Sequence, residues 1–197
     1  MAERMNARGL KIRPQVGARP ASVLMSLEGT LNPMRQFPAY SEIKSLPVAE
    51  QRERLLDPDF RARVLADEPK VPRFEDTAHM ISAWDEMYVL PNELSYEPDY
   101  SDSIAAIAEA KGIHCREALM DVMASGRPLL HLIGEYPGNL ERQRECIAHE
   151  HSVFGLSDGG AHCGVLCDAS MPTYMLAYMS RDRTKGEPFD VEFTVHK

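Results

Sequence analysis

Apolar and polar side chains alternate over residues 10–16, LKIRPQV, directly after Gly9. This pattern predicts a short strand, preceded by a helix over AERMNAR that stops on a glycine cap. A helix followed at once by a strand is the expected start of a repeating β-then-α chain entered between two units. Helical spacing returns in VAEQRERLL after Pro47 and in DFRARVLAD after Asp57-Pro58, where proline suits the first helical position. It returns over residues 76–86, then 102–111 with Ser101 as cap and Gly112 as stop, then 114–125 with Gly126 as stop. MYVL at 87–90 reads as a short strand, and His114 as a surface residue opening its helix. Between Arg19 and about Pro47 the prolines at 20, 33, 38 and 47 break every period. A long irregular insertion of this kind is expected to serve as a lid or binding loop.

Residues 128–136, PLLHLIGEY, form a continuous apolar run, and so do residues 153–158, VFGLSD. Gly138 and Asn139 lead into a helical stretch, LERQRECIAHE, that separates them. This order predicts a β-α-β unit with its strands paired in parallel and covered on both faces, the building block of doubly wound sheets and (β/α)₈ barrels. A loop of small residues, GGAHCGVLCDAS, follows, and then Pro172 and a helical TYMLAYMSRDR. The chain shows no repeat of fixed period, low-complexity segment or evident domain boundary.

With 197 residues, 44% of them apolar, the chain can bury a core. Its 22 Lys and Arg against 30 Asp and Glu give a net charge of −8, which disfavours nucleic acid and anionic membrane surfaces as partners. Neither a long apolar run nor an apolar leader at MAERMNARGLKIR is present, so a cytoplasmic location is expected. Cys115, Cys146, Cys163 and Cys167 make no CxxC pair and read as free thiols, with the Cys163/Cys167 spacing a metal half-site only in the alternative.

In parallel α/β folds ligands gather beyond the C-terminal ends of strands. Asp158 ends an apolar strand and precedes Gly159-Gly160, where the backbone can turn sharply and a ligand can approach closely. A carboxylate there can take a proton from water or bind a metal; it can equally cap the following turn. His162, four residues on, can contact substrate or share a proton with Asp158. His149 and His151 make an HxH pattern, but it precedes the strand, so it is expected on the opposite, structural face.

The segment Ser157-Asp158-Gly159-Gly160-Ala161-His162, with Cys167-Asp168-Ala169-Ser170, Met171-Pro172-Thr173-Tyr174, Ser180-Arg181-Asp182-Arg183 and Gly186-Glu187, resembles the strand-8 region of amidohydrolase family 3, which contains the N-acyl-D-amino-acid deacylases. Further ordered motifs agree: Ile12 to Val16, Arg19-Pro20, Leu27-Glu28-Gly29, Leu46-Pro47 through Arg63, Tyr96-Glu97-Pro98 and Ser103-Ile104-Ala105. The resemblance implies a (β/α)₈ TIM barrel, of which residues 1–197 would be the C-terminal portion, about strands 6 to 8, with an insertion at about 19–95. It implies hydrolysis of a non-peptide amide bond, as in an N-acyl (D-)amino acid, by water held on zinc. Asp158 then corresponds to the proton-transferring aspartate and His162 to a residue beside the substrate. The family's HxH after strand 1 and the strand-2 ligand have no counterpart here, and the strand-6 position reads Arg13-Pro14-Gln15-Val16 without histidine. The chain alone is therefore expected to hold no complete zinc site and to be inactive by itself.

The alternative is a non-catalytic chain, a truncated product or a subunit that needs a partner to complete the barrel. Either reading leaves open strand edges, so self-association or pairing with the missing barrel half is expected. Analytical ultracentrifugation should show association; a compact monomer with two-state unfolding would count against it.

Overall fold

In chain order the elements are α1 (Ala2–Asn6), β1 (Gln15–Val16), β2 (Ser22–Met25), α2 (Val48–Leu56), α3 (Pro58–Ala66), α4 (Glu75–Ser82), β3 (Met87–Val89), α5 (Ile104–Lys111), α6 (Cys115–Ser125), β4 (Leu129–Leu132), α7 (Glu141–Ala148), β5 (Val153–Phe154), α8 (Met171–Tyr174) and α9 (Val191–His196). Short 3₁₀ turns occupy Pro33–Gln36, Pro38–Glu42 and Tyr100–Asp102, and α8 runs on as a π-helix over Met175–Asp182. The computed structural model describes residues 1–70, 75–90, 95–133, 136–155 and 169–197. It divides into two units, one of Met1–Ala21 with Gly134–Lys197 and the other of Ser22–Ile133.

Helix ends follow local chemistry. Asp57 accepts the Phe60 amide at 2.8 Å, with Pro58 behind it, and starts α3. His114 caps α6 by accepting the Arg116 amide at 3.1 Å, while Glu117 reaches back to the His114 amide at 3.1 Å. Gly112 and Gly126, at φ of +63° and +79°, end α5 and α6 in the left-handed region that a side chain disfavours. Ser103, not Ser101, caps α5, accepting the Ala106 amide at 3.1 Å; Ser101 lies in the preceding 3₁₀ turn.

Two expectations about strands change. The strand expected over residues 10–16 shrinks to Gln15–Val16. The Asn6 side chain takes both backbone groups of Ile12, accepting its N–H at 2.7 Å and donating to its carbonyl at 2.9 Å, so they cannot enter a ladder. The expected parallel pairing within a β-α-β unit over residues 128–158 is also overturned. β4 lies antiparallel between β2 and β3, with Val23 and Met87 both opposite His131, whereas β5 pairs in parallel with β1, Gln15 opposite Val153. Apolar runs fix the tendency to be a buried strand but not its partner.

The segment expected as an irregular insertion is packed. β2 lies in it, and Met34, Phe37, Tyr40 and Ile43 are buried. Here the core of the Ser22–Ile133 unit joins α2, α3 and α6 through Leu55, Phe60, Val64, Leu119 and Met123. Polar groups drawn inside are paired: Asn32 donates to the Tyr40 hydroxyl at 2.9 Å, which donates to Gln51 Oε1 at 2.6 Å, while Gln51 Nε2 donates to the Leu46 carbonyl at 2.8 Å. Arg116 donates to the carbonyls of Val64, Leu65 and Asp67 at 2.8–3.0 Å, closing the C-terminal end of α3 while its guanidinium lies over the Phe37 ring.

Tyr40→Phe should remove the hinge of this network and leave a buried Gln51 oxygen and an Asn32 N–H without it. We expect a loss of about 1–3 kcal/mol in urea unfolding. A change below about 0.5 kcal/mol would mean that water replaces the hydroxyl at no cost.

Candidate functional site

β5 runs out through Gly155, whose N–H donates to the Val16 carbonyl at 3.1 Å. Asp158 follows three residues later in the chain. Asp158, His162, Cys163 and Cys167 lie outside the described residues, and so do Gly159 and Gly160. What is described is the frame on which that segment starts and ends, within the unit of Met1–Ala21 and Gly134–Lys197.

The frame is built at the C-terminal ends of β1 and β5. Gly155 lacks a side chain where a Cβ would run into the Gln15 side chain, so Gln15 can lie across the end of its neighbouring strand. After β1, the Gly17 carbonyl accepts a hydrogen bond from Gln143 Nε2 of α7. Ala18 is fully buried, and its amide donates to the Met171 sulfur at 3.0 Å; the Arg19 amide points to the same sulfur at 3.4 Å. Met171 opens α8, with Pro172 in the first turn, where its missing N–H costs nothing. Arg19 also stands over the Tyr174 ring at 5.9 Å, and Tyr174 stacks on Tyr178 at 5.2 Å. Met171-Pro172-Thr173-Tyr174 thus ties the start of α8 to the exit of β1.

The following Arg183 is a buried clamp. Its side chain is wholly buried, meets the Glu141 carboxylate at 2.8 Å and donates to the carbonyls of Glu187 at 3.1 Å and Lys185 at 3.3 Å. Arginine's forked donors can serve several acceptors at once, which keeps a buried guanidinium satisfied. In the sequence Arg183 figured only as part of a motif. An arginine among the turn-forming residues Lys185, Gly186 and Glu187 was the available signal for a loop-holding role.

The HxH pair lies before β5, whereas Asp158 follows it. His149 Nε2 is 2.9 Å from Glu3, and its Nδ1 accepts the His151 amide at 3.1 Å. Hydrogen bonding and the charge of His149 hold the exposed Glu3 carboxyl below its ordinary value. Glu3 and His149 border an open depression of about 480 Å³ lined also by Met1, Pro14, Val16, Cys146 and Ser152. Pro14 and Ser152 precede the paired strands, so the depression belongs to their N-terminal ends.

Among the described residues, no group of three or more His, Cys, Asp or Glu is arranged to hold a metal ion. Nor, among them, is any helix long and apolar enough to cross a membrane. Comparison of the chain with protein-family models, curated proteins and solved structures found no match.

The Met171 sulfur gives a direct test of the frame. Met171→Leu nearly conserves volume, which by itself costs less than about 1.5 kcal/mol. It also removes the acceptor for the buried Ala18 amide, which adds about 1–3 kcal/mol. Met171→Leu should therefore destabilise the protein well beyond Met179→Leu, a swap at another buried methionine whose sulfur accepts no hydrogen bond among the described residues, as read by thermal unfolding. Equal effects at the two positions would show that the sulfur contributes only its bulk.

Proposed function

We propose that the chain is the C-terminal portion of an amidohydrolase barrel that hydrolyses a non-peptide amide bond, as in an N-acyl (D-)amino acid. The observation that carries this reading is the ordered run from Ser157-Asp158-Gly159-Gly160-Ala161-His162 to Met171-Pro172-Thr173-Tyr174 and Arg183, together with the motifs earlier in the chain. It is supported by the parallel pairing of β1 and β5, because Asp158 comes after the C-terminal end of β5, the end at which parallel α/β folds bind ligands.

In this reading Asp158 accepts a proton from the water that attacks the amide carbon and delivers it to the leaving nitrogen, so that acid and amine are released with the proton inventory balanced. His162 binds the acyl amino acid beside it. In the family resembled, zinc would supply a lowered pKa for the attacking water. Among the described residues no ligand set fits it.

A second reading is a chain that functions only once a partner completes its barrel. It is favoured by the parallel sheet, which among the described residues has two strands of two residues each, far short of a closed barrel.

The test is hydrolysis of a panel of N-acyl-D- and N-acyl-L-amino acids by the protein purified in its native assembly. Asp158→Asn should lower turnover by about 10²- to 10⁴-fold with little change in KM and in circular dichroism. Asparagine serves nearly as well as aspartate as a cap or turn residue, so near-normal turnover would reduce Asp158 to a structural role.

A further inference from the structure

His131 sits in the middle strand of the three-stranded sheet, β4, flanked in register by Val23 of β2 and Met87 of β3. Its side chain is completely buried, and neither ring nitrogen has a hydrogen-bond partner. A neutral imidazole carries one donor and one acceptor, so burying both without partners is costly, and burying the cation is costlier still. The nearest compensating group is Glu86, in the turn before β3. Its Oε2 stands 3.7 Å from His131 Nε2, just outside hydrogen-bond range. That same oxygen is engaged at 2.9 Å by Nε2 of His79, on α4 and largely exposed. The two imidazoles meet edge to face, 6.0 Å apart, with one carboxylate serving both sides.

We propose that Glu86 is a two-position carboxylate that holds α4 through His79 while His131 is neutral, and turns inward to His131, releasing α4, when His131 takes up a proton. The magnitudes favour the exchange. An exposed contact such as that with His79 contributes little to stability. A buried imidazolium left without its carboxylate is far more strongly disfavoured. The distance to be closed is small, and Glu86 is only partly covered, so the side chain has room to turn. The backbone need not follow, because the Glu86 carbonyl already accepts the Leu132 amide at 3.1 Å and anchors the turn to β4.

The groups that face His131 set the pH at which this happens. Burial lowers its pKa from the ordinary histidine value of 6.5, Glu86 opposes that shift, His79 adds to it and Asp85 opposes it. β2 and β3 present Val23 and Met87 opposite it, which carry no charge. Because the folded-state pKa lies below the unfolded one, the unfolded chain binds the proton first as pH falls. The stability contributed by neutral His131 is therefore full above about pH 6.5 and is lost progressively below it.

The experiment is amide hydrogen exchange of the whole protein between pH 7.5 and 5, corrected for intrinsic rates, with ¹⁵N-histidine spectra recorded alongside. Protection of the last turn of α4, where the Ala83 amide donates to the His79 carbonyl, should fall by up to about fivefold in step with His131 protonation, while α6 stays protected. Glu86→Gln keeps a side-chain oxygen for His79 but cannot neutralise a buried cation. It should lower the His131 titration further and abolish the pH dependence in α4. His131→Leu should abolish that dependence as well, and Glu86→Gln suffices if the leucine variant does not fold. Protection in α4 that ignores His131 protonation, or that falls equally in Glu86→Gln, would overturn the proposal.

Discussion

Antiparallel pairing of β4 on both of its edges is the constraint on which the Ser22–Ile133 unit depends. The middle strand meets β2 from the start of the unit and β3 from its interior, so four residues near its end close the whole unit. Closing so long a loop costs entropy, but the cost grows only as the logarithm of length, about 0.6 kcal/mol for each doubling. Burial repays it. The alternate residues Leu129 and His131 point with Val23, Met25, Met87 and Val89 to one face of the sheet, and every one of them is buried. A polar ring in that row is the anomaly of an otherwise apolar surface, and it is why a single proton can matter there.

The other unit rests on a weaker pairing. β1 and β5 share only two residues each, and side chains from other elements complete what the ladder does not. Gln143 serves the Gly17 carbonyl, and Met171 serves the amides of Ala18 and Arg19, so the strand exits are satisfied by α7 and α8 rather than by more strand. Both anchors flanking the segment that carries Asp158, Gly155 and Met171, are tied to β1 and the residues just after it. A carboxylate that moves protons needs a fixed starting point, and this is the physical link between the fold and the proposed chemistry.

Helix ends were legible because each depends on residues within a few positions. Asp57-Pro58, Gly112 and Gly126 act where the sequence places them, whatever the rest of the chain does. Ser101 and Ser103 show the limit of this locality: both can cap, and the choice fell to Ser103, two positions on, after the 3₁₀ turn Tyr100–Asp102. The wide turns of Met175–Asp182 were not legible either. The Ser180 hydroxyl donates to the carbonyl of Met175, five residues back, a contact the helical period of 3.6 does not reveal.

By itself the sequence determined several helix ends, Asp57-Pro58, Gly112 and Gly126 among them, which runs are apolar enough to be strands, and which residues, Asp158 and His162 foremost, carry the motif on which the functional proposal stands. Only the tertiary structure decided that β4 joins β2 and β3 rather than β5, that residues 19–47 supply core rather than an open loop, and that Glu86 stands between His79 and His131. The reason is the range of the forces. Caps and turns are settled by hydrogen bonds a few residues long, whereas an apolar strand gains nearly as much against one apolar neighbour as another. The partner it takes is chosen by how all the surrounding side chains pack at once.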